Sequence, residues 1–121
     1  MNIFNRSIPK WVKELQDKPH KSGLMQLSRV SPGPFDKPRE MNIALYGFTD
    51  DTTLENAMAE ITKMGWTCTW QRQEDFHQQK LVTATVQGYQ IKEDSFMKDI
   101  AYFKSIAKKY EVNYDGWYAS T

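Results

Sequence analysis

Glu111-Val112-Asn113-Tyr114-Asp115-Gly116-Trp117 is the stretch on which the fold turns. It follows a lysine-rich helix end, Lys108-Lys109-Tyr110, and reads as a closing strand that runs to about Tyr118. Asp115-Gly116 is a turn or bulge signal set between two large aromatics. Gly116 takes φ > 0 without a Cβ penalty, so the strand can kink there and re-aim Trp117.

Working back from that strand, the punctuation is regular as far as residue 41. A helix starting near Lys92 carries Phe96, Ile100, Phe103, Ala107 and Tyr110 on one face. Glu93 and Asp94 at its start and Lys108 and Lys109 at its end both complement the helix dipole. Before it, Val82, Ala84 and Val86 alternate with Thr83 and Thr85, a strand closed by Gly88. The polar stretch 72–79 reads as a hairpin loop. It is preceded by Trp66, Cys68 and Trp70 alternating with Thr67, Thr69 and Gln71, a second strand. Leu54, Ala57, Met58, Ile61 and Met64 trace a helical face, with Thr52-Thr53-Leu54-Glu55 as a capping box and Gly65 at the C′ position. Met41, Ile43 and Leu45 alternate with Asn42, Ala44 and Tyr46 as a first strand.

The order βαββαβ predicts an α+β, ferredoxin-like sandwich. Its four-stranded antiparallel sheet should carry two helices on one face. On this reading residues 41–121 are the domain and residues 1–40 an arm. The arm holds Pro19, Pro32, Pro34 and Pro38, and Ser31-Pro32-Gly33-Pro34 reads as a turn or extended linker. Ile8, Trp11, Val12 and Leu15 fall on one helical face, with Ser7 as a cap, Pro9 in the first turn and Lys18-Pro19 as a stop. Alone, a helix of about ten residues is marginal, so it must dock or fray. Leu24-Met25-Gln26-Leu27 is compatible with strand or helix.

The 121 residues suit one domain, and the net charge of +1 is unevenly spread. Residues 1–40 carry eight Lys/Arg against four Asp/Glu, a net of +4; residues 41–121 carry eight against eleven, a net of −3. Neither value demands nucleic acid or membrane. Cys68 is the only cysteine, which excludes an internal disulfide and fits a reducing compartment. Its neighbours Thr67 and Thr69 offer no activating base, so a buried structural thiol, protected from thiol reagents, is expected. No apolar run reaches membrane-spanning length, and residues 1–10 lack the apolar core of a secretory signal, so a cytoplasmic location is expected.

Catalytic and metal signals are thin. His20 and His77 are the two histidines, and no zinc-ligand spacing or phosphate-loop pattern occurs. Glu74-Asp75 and Asp50-Asp51 read as solvated loop carboxylates, and no nucleophile stands at suggestive spacing from a base. The βαββαβ order is also that of RNA-recognition modules. Ile43-Ala44-Leu45-Tyr46-Gly47-Phe48 loosely fits their first strand, but Lys80 to Gln87 has no aromatic where base stacking needs one. Weak phosphate contact by Arg6, Lys10, Lys13, Lys18, Lys21 and Arg29 is the remaining nucleic-acid reading.

The Tyr114-Asp115-Gly116-Trp117 ending on this element order resembles the regulator of ribonuclease E activity B (RraB) family. The likeness extends back to about Pro38. It implies a ferredoxin-like fold, no cofactor, no catalysis of its own, and inhibition of the endoribonuclease RNase E by direct protein binding. The positions that match the family are Arg39, Tyr46, Gly65, Tyr114, Asp115, Gly116 and Trp117. The characterised inhibitor type is strongly acidic with an acidic tail. Here a basic, proline-rich arm stands in front and three residues follow Tyr118, so partner choice is open. An adaptor or immunity-type inhibitor of another nuclease or toxin is the alternative.

Tyr46, Phe48 and Trp117 are the candidate partner contacts. If the Gly116 bulge leaves side-chain parity unchanged, all three share the sheet face away from the helices, where exposed aromatics anchor interfaces. Two other arrangements compete. The arm helix, with Ile8 and Trp11, could fold back over them. A bulge that resets parity would instead turn Trp117 inward and make the run a structural clamp, with Asp115 accepting backbone N–H groups.

Overall fold

The computed structural model describes residues 10–16, 29–30, 37–73 and 79–120. In chain order they form α1 (Lys10–Gln16), β1 (Arg29–Val30), β2 (Arg39–Phe48), α2 (Asp51–Lys63), β3 (Thr67–Gln73), β4 (Gln79–Tyr89), α3 (Glu93–Lys109) and β5 (Asn113–Ser120). The sheet order is β1-β5-β2-β4-β3. Strands β2 and β3 both run antiparallel to β4, and β4 and β5 both run antiparallel to β2. Two βαβ units are therefore interleaved, which is the ferredoxin-like arrangement within an α+β fold.

One apolar cluster unites Met41, Ile43 and Leu45 of β2 with Val82 and Ala84 of β4. The same cluster takes Leu54, Ala57 and Ile61 of α2 and Phe96, Ile100, Phe103, Ile106 and Ala107 of α3. Both long helices thus cover one sheet face, as the periodicities predict. Between them Glu60 of α2 accepts hydrogen bonds from Tyr110 Oη (2.6 Å), Lys109 Nζ (3.1 Å) and Tyr102 Oη (3.5 Å). The Tyr110 hydroxyl first, then Lys109, holds the Glu60 carboxyl below its ordinary pKa. Tyr89 at the end of β4 donates to Asp99 Oδ2 of α3 at 2.5 Å.

Three features differ from the sequence reading. The sheet has a fifth strand: β1 pairs in parallel with β5, Arg29 opposite Tyr118 and Val30 opposite Ala119. Two residues are too short for a period-two pattern, so nothing in the sequence marks this strand. Next, α2 begins two residues earlier than the Thr52 capping box implies. Asp50 is the N-cap, its Oδ1 accepting from Thr53 N at 2.8 Å and its Oδ2 from Thr53 Oγ1 at 2.8 Å. A carboxylate satisfies the free N–H groups of the first turn as well as a hydroxyl does, and its charge suits the helix N-terminus. Finally, α1 docks on the helix side: Val12 is fully buried and the Trp11 ring lies 5.8 Å from Phe96. Ser7, Ile8, Pro9, the Leu24–Leu27 stretch and the Ser31–Pro34 turn lie outside the described residues.

Candidate partner-binding surface

Two bulges decide where the aromatics go. In β5 the pairing slips between Ala44, opposite Gly116, and Leu45, opposite Tyr114, so Asp115 is the extra residue. Gly116 has φ 135°, a conformation that glycine alone adopts easily. The slip returns Trp117 to the side of Tyr114. Trp117 stands opposite Ile43, 1 % exposed, edge-on to Phe96 at 4.9 Å. In β2 the second slip falls between Tyr46 and Phe48, with Gly47 at φ 103°. Phe48 accordingly turns to the helix side and is buried there.

The expected platform of Tyr46, Phe48 and Trp117 is therefore corrected. Phe48 and Trp117 are core side chains. Tyr46 alone points to the opposite face, where it is buried with Ala44 and Leu81. Burial raises the Tyr46 phenol pKa, and the Asp115 charge adds to the effect. Trp117 is turned inward, as in the alternative in which the bulge resets side-chain parity.

The other family-matching positions are also architectural in placement. Arg39 opens β2 and is 2 % exposed, and Asp115 is fully buried; they are the buried charged side chains among the described residues. Burial lowers the Arg39 pKa against an opposing contribution from Tyr118. Tyr114 is half-buried, with its phenol pKa pushed up by burial and then by Asp115, and Lys104 Nζ lies 5.3 Å from its ring centroid. Gly65 follows α2 with φ 95°, its N–H donating to Thr62 O at 3.0 Å. Cys68 is half-buried with Sγ 3.8 Å from Met58 O, and burial pushes its thiol pKa up.

What the sheet exposes is polar. Thr67 and Thr69 of β3 face Thr85 and Thr83 of β4, and Thr67, Thr69 and Thr85 with Gly65, Val86 and Gln87 border a shallow depression of about 370 Å³. Beside it Asn42 accepts from Thr85 Oγ1 at 2.7 Å, while Glu40 accepts from Gln87 Nε2 at 2.6 Å and Asn42 Nδ2 at 3.1 Å. Those two donors, Asn42 first, hold the Glu40 carboxyl below its ordinary pKa. This is no base-stacking surface: β4 contributes Leu81, Thr83, Thr85 and Gln87 to it.

The second exposed feature is the β3 edge. β5 is flanked by β1 and β2, and the inner strands by one another, but β3 pairs only with β4 among the described strands. Its Trp70 is 48 % exposed, the more exposed of the two large apolar side chains that stand out, the other being Met97. Lys80 Nζ lies 4.7 Å from the Trp70 ring centroid and forms an ion pair with Asp51. Sequence reasoning assigned Trp70 only to a strand. Its place on the outermost strand was the missing information, and the strand order that follows from two interleaved βαβ units could have supplied it.

Among the described residues, no group of His, Cys, Asp or Glu side chains is arranged to hold a metal, and no helix is long and apolar enough to cross a membrane. His20, His77, Glu74 and Asp75 lie outside those residues, as do Arg6, Lys18 and Lys21 of the arm. A search of curated proteins finds no match to this chain. Among protein families, residues 31–118 match RraB, Regulator of ribonuclease activity B. The matched span holds β2 to β4, both long helices and β5 as far as Tyr118, and leaves α1 and β1 outside it. With well over half of its length matched, the chain belongs to the RraB family.

Proposed function

We propose that this protein is a cytoplasmic, non-catalytic regulator that binds an endoribonuclease, RNase E in the first instance, and slows RNA cleavage. The observation that carries this reading is the family match over residues 31–118. The surface supports it: an exposed strand edge and a polar sheet face suit contact with another protein, and the sheet offers no aromatic stack for bases. Among the family-matching residues, Tyr114, Asp115, Gly116 and Trp117 serve by shaping the closing strand, Arg39 is buried at the start of β2, and Gly65 ends α2. Binding needs no cofactor.

The test is retention of purified RNase E on the immobilised chain, together with its cleavage rate on a defined RNA. Slower cleavage with increasing chain concentration is expected. No retention and an unchanged rate would reject the reading. Retention of a different nuclease with slowed cleavage would move the assignment to an adaptor or immunity-type inhibitor of that enzyme.

A further inference from the structure

The β3 edge has three properties that together specify a ligand. First, among the described residues its outward N–H and C=O groups form an open row on a seven-residue strand, a template for a further strand. Natural edges are commonly blunted by proline, glycine bulges or several charges, and Thr67-Cys68-Thr69-Trp70-Gln71-Arg72-Gln73 has one charge and none of the other devices. Second, Trp70 and Arg72 lie on one face of the strand, so a neighbouring strand would meet an aromatic ring and a guanidinium two residues apart. Third, the edge presents one exposed guanidinium, that of Arg72. Arg72 stands directly opposite Lys80, a like-charged cross-strand pair that is unfavourable unless anions join it. Asp51 neutralises Lys80, and Arg72 is exposed with no ion-pair partner among the described residues.

We propose that β3 receives an extended acidic segment of the partner protein as an added strand, an apolar side chain resting on Trp70 and a carboxylate on Arg72. Backbone pairing would supply affinity, and the alternating side chains would supply selectivity. The opposite side chains of the added strand would lie beside Thr67, Thr69 and Gln71. A second copy of this chain fits the edge less well, because its own β3 would bring Arg72 and no carboxylate. The inference rests on the regulator reading, and names where and how the ribonuclease would be held.

The probe is a capped peptide, Glu-Thr-Val-Thr-Glu-Thr-Val, matching β3 in length and placing Glu and Val on one face. Its control has Lys for both Glu. Titrated into the full chain and followed by amide hydrogen exchange, the Glu peptide should slow exchange within residues 67–73. It should bind about five-fold or more tighter than the Lys peptide, as expected for one exposed ion pair. Arg72→Glu should reverse that preference without lowering the Tm, since it replaces a like-charged pair with Lys80 by an opposite-charged one. Equal affinities, protection elsewhere on the chain, self-association through β3, or no binding of the Glu peptide at millimolar concentration would overturn the proposal. The same exchange experiment with RNase E separates the two readings. Retention with protection outside 67–73 sinks the added strand and leaves the regulator. Protection of 67–73 by the peptide without retention of RNase E does the reverse.

Discussion

Glu111 occupies a position where glycine is the usual residue. It follows the C-cap of α3 with φ 57°, the left-handed region. Val112 N donates to Ala107 O at 2.8 Å and Glu111 N to Lys108 O at 3.3 Å, the two bonds that close a helix around a left-handed residue. A side chain in that conformation is strained, and a carboxylate at the negative end of a helix is unfavourable as well. Glu111→Gly is therefore expected to stabilise the fold by about 1 kcal/mol, seen as a Tm rise of a few degrees. An unchanged or lower Tm would show that the chain's own flexibility at that point outweighs the relief. Trp117 behaves in the opposite sense: packed on Phe96 and opposite Ile43, its removal as Trp117→Ala should cost about 3–5 kcal/mol. At this scale the sequence is ambiguous for a physical reason. Asp115-Gly116 announces a bulge, but whether a bulge inserts one residue or merely bends the strand is decided by pairing to β2, which has no local signature.

At the scale of elements, Glu60 joins α2 to α3 through one carboxylate and three donors. Its folded-state pKa is lowered, so its contribution is complete above the unfolded value of about 4.3 and is lost as pH falls through the folded one. Glu60→Gln should thus lower Tm at pH 7, and the gap to the unaltered chain should narrow below about pH 4. A gap independent of pH would mean that shape and not charge makes the clamp. The helices and long strands were legible because each buries one face, so the period of apolar residues reports the element. Phe96, Ile100, Phe103 and Ala107 fall where the 3.6 period puts them, and Val82 and Ala84 where the period of two does. The start of α2 was less legible, since Asp50 and Thr52 are both competent caps and tertiary pairing of Lys80 with Asp51 favours the earlier one.

For the whole molecule, the same sheet carries two different surfaces, and side-chain alternation alone does not rank them. Period-two alternation says which residues share a face, but exposure depends on strand order, and order is a property of the assembled chain. Tyr46 reads as exposed by alternation and is 7 % exposed; Trp70 reads only as a strand residue and is 48 % exposed. The N-terminal elements show the same dependence on assembly. α1 is too short to persist alone, yet Val12 is fully buried and Trp11 packs on Phe96, which in turn packs on Trp117. The helix is thereby an outer layer of the core although it lies outside the family match. Val12→Asp would place a carboxylate in that layer, and the less costly outcome is undocking of α1, which limits the loss to its docking free energy. The expected result is a Tm lower by several degrees, with faster amide exchange in the first turns of α3 under the vacated helix. Exchange within β3 should stay as it was, because α1 packs at Phe96 and β3 is the far edge of the sheet. If partner binding survives Val12→Asp and fails on Arg72→Glu, the arm is scaffolding and the free edge is the working surface; the reverse pattern would transfer that role to α1.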